Sequence, residues 1–216
     1  MCREKLRQAG IEEAGLDAWY LLEFVTGVDK AHYYMEPDRR MEQSVAQEYE
    51  KVVNLRAEHI PLQHITGVQE FMGLGFRVSG DVLIPRQDTE VLVEEALKRL
   101  EQGKVPKEKE TVRMLDLCTG SGCILIQGTG ADISEAALRI AEENLDLLEE
   151  TGNKSMAELL ESDLFEQVDG TFGMIVSNPP YIKTSVISGL QEEVRLHDPF
   201  LALDGKEDGL FFYRKI

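Results

Sequence analysis

Asn178-Pro179-Pro180-Tyr181 follows the apolar run Met174-Ile175-Val176-Ser177. A strand that reaches two prolines cannot go on pairing, because two backbone donors are gone and two φ angles are fixed. The chain must leave the sheet there. It presents rigid carbonyls, one carboxamide and one aromatic ring at a strand end. That set of groups suits the capture of a planar NH2 group.

Around this point the pattern is that of a parallel α/β sheet. Val112 to Leu117 is a short apolar strand that ends beside the carboxylate of Asp116. Cys118-Thr119-Gly120-Ser121-Gly122 follows as a loop of small residues, which lets a ligand approach the backbone. A second strand is expected over 130–133, a helix over 134–148, and further strands over 157–161 and 174–177. Asp132 ends the second strand, with Ser134 placed to cap the next helix. Asp163, in Ser162-Asp163-Leu164-Phe165, follows the third.

Ligands of such sheets sit beyond the C-terminal strand ends. A carboxylate at the second strand end, Asp132, can accept hydrogen bonds from both hydroxyls of a ribose. Asp163 is placed for the exocyclic amine of an adenine, with Leu164 or Phe165 against the ring. The loop lacks the Gly-Lys-Ser/Thr ending that cradles phosphates and the full Gly-x-Gly-x-x-Gly of nicotinamide enzymes. A nucleoside without phosphates fits better, and S-adenosylmethionine is the common one.

Upstream, the first sixty residues carry helical periodicity. Leu16, Trp19, Tyr20, Leu22, Phe24 and Val25 form one band, closed by Gly27, with the aromatics expected in the core. Val45, Tyr49, Val52, Val53 and Arg56 mark a second helix over 41–59. Glycines then punctuate short apolar runs, with Ser79-Gly80-Asp81 as the expected hairpin turn. A helix over 88–100 is expected, capped by Asp88 or Thr89, with Val91, Leu92, Ala96, Leu97 and Leu100 inward. These readings divide the chain into a helical domain (1–60), a β-hairpin linker (61–87) and a nucleoside-binding α/β domain (88–216).

The 216 residues include 43% hydrophobic ones, enough for a sizeable core. No run of about 18 apolar residues is present. The charged start, Met1-Cys2-Arg3-Glu4-Lys5, is not that of a signal peptide. Three cysteines, at 2, 118 and 123, suit neither a disulfide framework nor a zinc knuckle. A net charge of −17 opposes a broad phosphate-binding surface. It favours a small-molecule cofactor and a protein partner.

On these motifs the sequence resembles the HemK/PrmC family, the release-factor glutamine methyltransferases. Pro61-Leu62-Gln63-His64-Ile65-Thr66-Gly67 is similar to the family's linker, and Phe71-Met72-Gly73-Leu74 to its hairpin. Ile84-Pro85-Arg86-Gln87-Asp88-Thr89-Glu90 is similar to its entry helix. Asp116 to Gly122 resembles its cofactor loop, and Ser177 to Ile182 its substrate motif. Gln87 and Cys118 depart from the family's proline and glycine.

The resemblance implies a helical N-terminal domain, a Rossmann-like methyltransferase domain and S-adenosylmethionine as methyl donor. It implies a cytoplasmic enzyme that supports translation termination. Its partner is then a class 1 release factor, methylated on the glutamine of Gly-Gly-Gln. It places Thr119, Gly120, Ser121, Gly122, Asp132, Phe165 and Asn178 at the cofactor, and Asn178, Pro179, Pro180 and Tyr181 at the glutamine.

Alternatives with the same chemistry are a ribosomal-protein glutamine methyltransferase and a DNA amino-methyltransferase. Of another class is a non-catalytic protein that keeps the fold. No residue stands out as a general base; His197 is the candidate weighed, and a turn histidine is its simpler reading. Nine residues lie between Gly122 and Asp132, against about 20 for a helix plus a returning strand. Residues are therefore expected to be missing near 126–130, and the resemblance, whose family continues with further strands, implies more past Ile216, leaving the methyltransferase domain incomplete.

Overall fold

A computed structural model describes residues 2–36, 40–106, 112–125, 128–150 and 157–216. The chain divides into two compact units, Met1–Gly67 and Val68–Ile216.

The first unit contains α1 (Cys2–Gln8), α2 (Ala14–Thr26), α3 (Lys30–Met35), α4 (Gln43–Ala57) and α5 (Leu62–Thr66). Its core is Leu6, Ile11, Ala14, Ala18, Leu21, Val52 and Val53. The expected aromatic band is not that core. Leu16, Tyr20 and Phe24 are exposed, and α2 buries Ala14, Asp17, Ala18 and Leu21 instead. The small residues let α1 and α4 pack close, and Asp17 is buried because Arg56 meets it. The Arg56 guanidinium donates from Nε to Asp17 Oδ2 at 2.6 Å. That explains an arginine on the apolar face of α4. Residues 62–66, expected in the linker, form α5, which packs on α2 and α4.

The second unit opens with a hairpin of β1 (Val68–Phe71) and β2 (Leu74–Arg77), paired antiparallel with Phe71 opposite Leu74. Its turn is Met72-Gly73, both at positive φ, the geometry whose twist matches a two-residue hairpin. Ser79-Gly80-Asp81 is a separate turn, closed by Val82 N–H on Ser79 O. It seats Val78 and Val82 against Ala137 rather than joining two strands.

After α6 (Gln87–Glu101) come β3 (Met114–Leu117), β4 (Gly128–Asp132), α7 (Glu135–Glu150), β5 (Ala157–Glu161) and β6 (Met174–Ser177). Short helices α8 (Thr184–Ile187), α9 (Glu192–His197), α10 (Phe200–Leu203) and α11 (Phe211–Lys215) complete the unit. The sheet order is β5-β4-β3-β6, every pair parallel. One face packs Met114, Met174 and Val176 with Phe71, Phe76, Val93 and Leu148 of the hairpin, α6 and α7. On the other, Leu115, Leu117 and Ala131 meet Val168 and Phe172. The β3–β4 crossover is short and has no helix among the described residues; Ile126 and Gln127, in the stretch expected to be interrupted, lie outside them.

The inward face of α6 also differs from expectation. Thr89, Val93 and Ala96 are buried, whereas Val91 is 65% exposed. Arg86 is the cap residue, and neither Asp88 nor Thr89 caps the helix. This turn carries Thr89 inward toward the sheet.

Candidate active site

The parallel order brings the ends of β3, β4, β5 and β6 to one rim, where a cleft of about 410 Å³ opens. Thr119, Gly120, Ser121, Asp132, Asp163, Leu164, Asn178 and Pro180 all line it. Asp116, Gly122, Phe165, Pro179 and Tyr181 do not.

The loop after β3 is held from behind. Cys118 takes a left-handed φ of 60°, which turns the chain sharply off the strand. Thr119 Oγ1 donates to Asp116 Oδ2 at 2.6 Å, and Thr119 N–H donates to Ala131 O at 3.1 Å. Gly120 N–H reaches across to Asp132 Oδ2, and Ser134 N–H to Asp132 Oδ1, both at 2.9 Å. Asn144, buried in α7, donates to Ser121 O and Arg77 O and accepts from Arg77 N–H. One carboxamide thus ties the loop, the helix and the hairpin together.

Asp116 is fully buried, so it supports the loop instead of lining the cleft. Burial pushes its carboxyl up to about 7; the nearby Asp132 charge adds to this and the Thr119 bond opposes it. Asp132 is also raised by burial, with the N–H groups of Ser134, Gly120 and Ile133 working the other way. Each Asp132 oxygen retains a lone pair beyond the loop bond it accepts. Burial lifts the Cys118 and Cys123 thiols to about 12, so both stay neutral in the cleft wall. After β5, Ser162 Oγ donates to Leu164 O at 2.9 Å and fixes a left-handed Leu164, which turns its side chain into the cleft.

The β6 end is equally constrained. Ser177 Oγ donates to Leu117 O at 2.7 Å, joining β6 to β3 beyond the ladder. Asn178 Nδ2 donates to Thr89 Oγ1 at 3.2 Å. Pro179 is fully buried, whereas Tyr181 is 54% exposed. Behind them Ile182 bridges Asp204 in parallel, with Gly205 N–H on Ile182 O at 2.7 Å. A Cβ on Gly205 would lie 2.7 Å from Tyr181 Cα, and one on Gly209 would lie 2.4 Å from Tyr181 O. Only glycine allows the 205–209 segment to prop the motif so closely.

Arg86, in the cleft lining, pairs with the buried Asp198 at 2.8 Å. His197 is not part of the lining. The contributions of Arg86, Thr89 and Asn144 escaped sequence reasoning. Arg86 and Thr89 lie in a stretch singled out only as a helix entry, and their partners are 112 and 89 residues away.

The arrangement can seat a nucleoside at the β3–β5 ends and an amide at the β6 end. Such a sheet, loop and cleft are those of a methyltransferase of the Rossmann-like class. Residues 89–194 match the family described as the methyltransferase small domain. Residues 1–67 match the PrmC N-terminal domain. The release factor glutamine methyltransferase of Agrobacterium fabrum is 39% identical over 223 residues, spanning 99% of this chain and 75% of that protein. That of Geobacter sulfurreducens is 39% identical over 224 residues, spanning 99% and 74%. That of Clostridium botulinum is 35% identical over 223 residues, spanning 98% and 76%. The chain belongs to the release factor glutamine methyltransferase family. Among solved structures, the "hMettl16 catalytic domain in complex with MAT2A 3'UTR hairpin 6" aligns with a TM-score of 0.50 at 12% identity, covering 76% of this chain and 61% of that one. That likeness is one of fold alone. Among the described residues no helix is long and apolar enough to cross a membrane, and no metal-binding cluster is present.

Proposed function

We propose that this protein transfers a methyl group from S-adenosylmethionine to the side-chain amide nitrogen of the Gly-Gly-Gln glutamine in a class 1 release factor, in the cytoplasm. One observation carries the reading. Asn178 lines the same cleft as Cys118 to Ser121, Asp132 and Asp163.

The donor set fits S-adenosylmethionine. Asp132 has lone pairs for two ribose hydroxyls, Asp163 faces a nucleobase amine, and Leu164 gives the base an apolar wall. The loop offers no phosphate cradle. When bound, the sulfonium cofactor supplies an electrophilic methyl group.

The chain's own task is to orient an amide nitrogen, a poor nucleophile because its lone pair is delocalised. Asn178 Oδ1 accepts one hydrogen of the glutamine NH2, whereas Pro179, expected at the glutamine, is buried and off the cleft lining. The Asn178 bond strengthens as positive charge develops on nitrogen, so it favours the transition state over the bound substrate. The fixed prolines and the glycine platform keep Asn178 in place, which supplies the proximity contribution. Tyr181, at the rim, covers the planar amide. The proton released after methyl transfer passes to water, without a side-chain base.

Radiolabelled methyl transfer to a release factor, to its Gln→Ala loop variant, to a ribosomal protein and to DNA tests the substrate. Label on the intact Gly-Gly-Gln factor alone is the expected result. Asn178→Ala should lower kcat about 100-fold or more while calorimetric cofactor affinity is largely kept. Normal single-turnover methylation by that variant would end the assignment.

A further inference from the structure

We infer that Thr89 is a positioning residue for the reaction, one that anchors the Asn178 carboxamide through its amide nitrogen. The inference rests on the proposed role of Asn178 and assigns its orientation to a residue outside the Asn-Pro-Pro-Tyr motif.

A carboxamide is nearly symmetric in shape and opposite in chemistry at its two ends. One end accepts hydrogen bonds and the other only donates them. An incoming NH2 group requires the accepting end. The reverse orientation would set two N–H donors against two N–H donors and leave both buried groups unpaired, which binding sites reject strongly. A half-turn about the last side-chain torsion of asparagine exchanges the two ends at little intrinsic cost, since that torsion is broad. A partner at the other end must hold the group.

Thr89 Oγ1 does this in the structure, accepting from Asn178 Nδ2 at 3.2 Å. Thr89 is only 7% exposed, so water competes poorly for the bond. The hydroxyl is itself well located. Thr89 is β-branched, with few available rotamers. Its N–H donates to Arg86 O at 2.9 Å, and Arg86 is anchored to the buried Asp198 at 2.8 Å. With Nδ2 held by Thr89, Oδ1 is the end left to accept from a substrate. Thr89 reaches the reaction only through Asn178.

The test is a set of three variants assayed for methyl transfer to a release factor. Thr89→Val keeps the shape and removes the hydroxyl. It should lower kcat roughly five- to thirty-fold, the effect of losing one buried hydrogen bond, with KM for the release factor and calorimetric cofactor affinity unchanged. Thr89→Ser restores the hydroxyl and should recover most of the loss. Thr89→Ala serves in place of the valine variant if the latter does not fold. Full kcat in Thr89→Val overturns the inference, and so does a serine variant as impaired as the valine one. A loss confined to KM or cofactor affinity also overturns it. Asn178→Ala separates the two levels. If that variant methylates normally, the underlying reading fails; if it is inactive while Thr89→Val is normal, only the role of Thr89 fails.

Discussion

Replacing Asp116 by asparagine should stabilise this protein at alkaline pH and do so progressively less as the pH falls. Asp116 has no exposed surface. Its Oδ2 accepts from Thr119, and its Oδ1 has no partner among the described residues. An ionised carboxylate in that position is poorly solvated, so burial raises its pKa from 3.8 to about 7 in the folded chain. The folded value lies above the unfolded one. Stability is therefore highest below the unfolded pKa, falls as the pH rises through the folded pKa, and is flat above it. A gap of about 3 pKa units corresponds to about 4 kcal/mol in total, of which about 2 kcal/mol falls between roughly pH 5.5 and pH 8.5.

The substituted side chain would keep an oxygen for the Thr119 hydroxyl and carry no charge. Asp116→Asn should accordingly gain about 2 kcal/mol over the parent protein across that pH interval. The assay is urea unfolding at a series of pH values, followed by far-UV circular dichroism. Fluorescence is unsuited, because the single tryptophan, Trp19, lies in the other unit. Parallel stability curves for the two proteins would contradict a raised Asp116 pKa in the folded chain. They would mean that Asp116 titrates alike folded and unfolded.

Two further outcomes follow from the loop and the platform. Asp132→Ala should weaken calorimetric S-adenosylmethionine affinity roughly 10- to 100-fold, since it removes the ribose acceptor and releases the N–H groups of Gly120 and Ser134; unchanged affinity would exclude the ribose assignment. Gly205→Ala should lower kcat and cost about 1–3 kcal/mol of stability, because the added methyl meets the Tyr181 backbone at 2.7 Å. Thermal melts and steady-state methylation check both parts, and a fully active, fully stable alanine variant would show that the 205–209 segment does not support the motif.

What the sequence made legible was whatever one segment carries by itself. The strand-ending Asn178-Pro179-Pro180-Tyr181, the small-residue loop and the aspartates after successive strands are local patterns. The parallel sheet then brings Thr119, Asp132, Asp163 and Asn178 to one cleft. What stayed hidden depends on a distant partner. Periodicity assigned Trp19, Tyr20 and Phe24 to the core of the first unit. The helices instead approach over Ala14 and Ala18, and Asp17 is buried by Arg56, 39 residues away. Asp116 reads as a ligand from its strand-end position, yet it lies behind the loop because Thr119 turns back onto it.

The same distinction explains why the amide-binding end needs more of the chain than its own four residues. Two prolines fix φ, but they do not fix where the turn sits or which way an asparagine faces. Ser177 ties the strand end to Leu117 O, Gly205 and Gly209 let a returning segment press against Tyr181, and Thr89 takes hold of Asn178 Nδ2. These contacts come from β3, the 205–209 segment and α6. A change in any one of them therefore reaches the Asn178 carboxamide without touching the motif itself. Activity should accordingly be lost at Thr89 and Gly205 while the nucleoside end of the cleft, held separately by Asp116, Asp132 and Asn144, keeps its affinity.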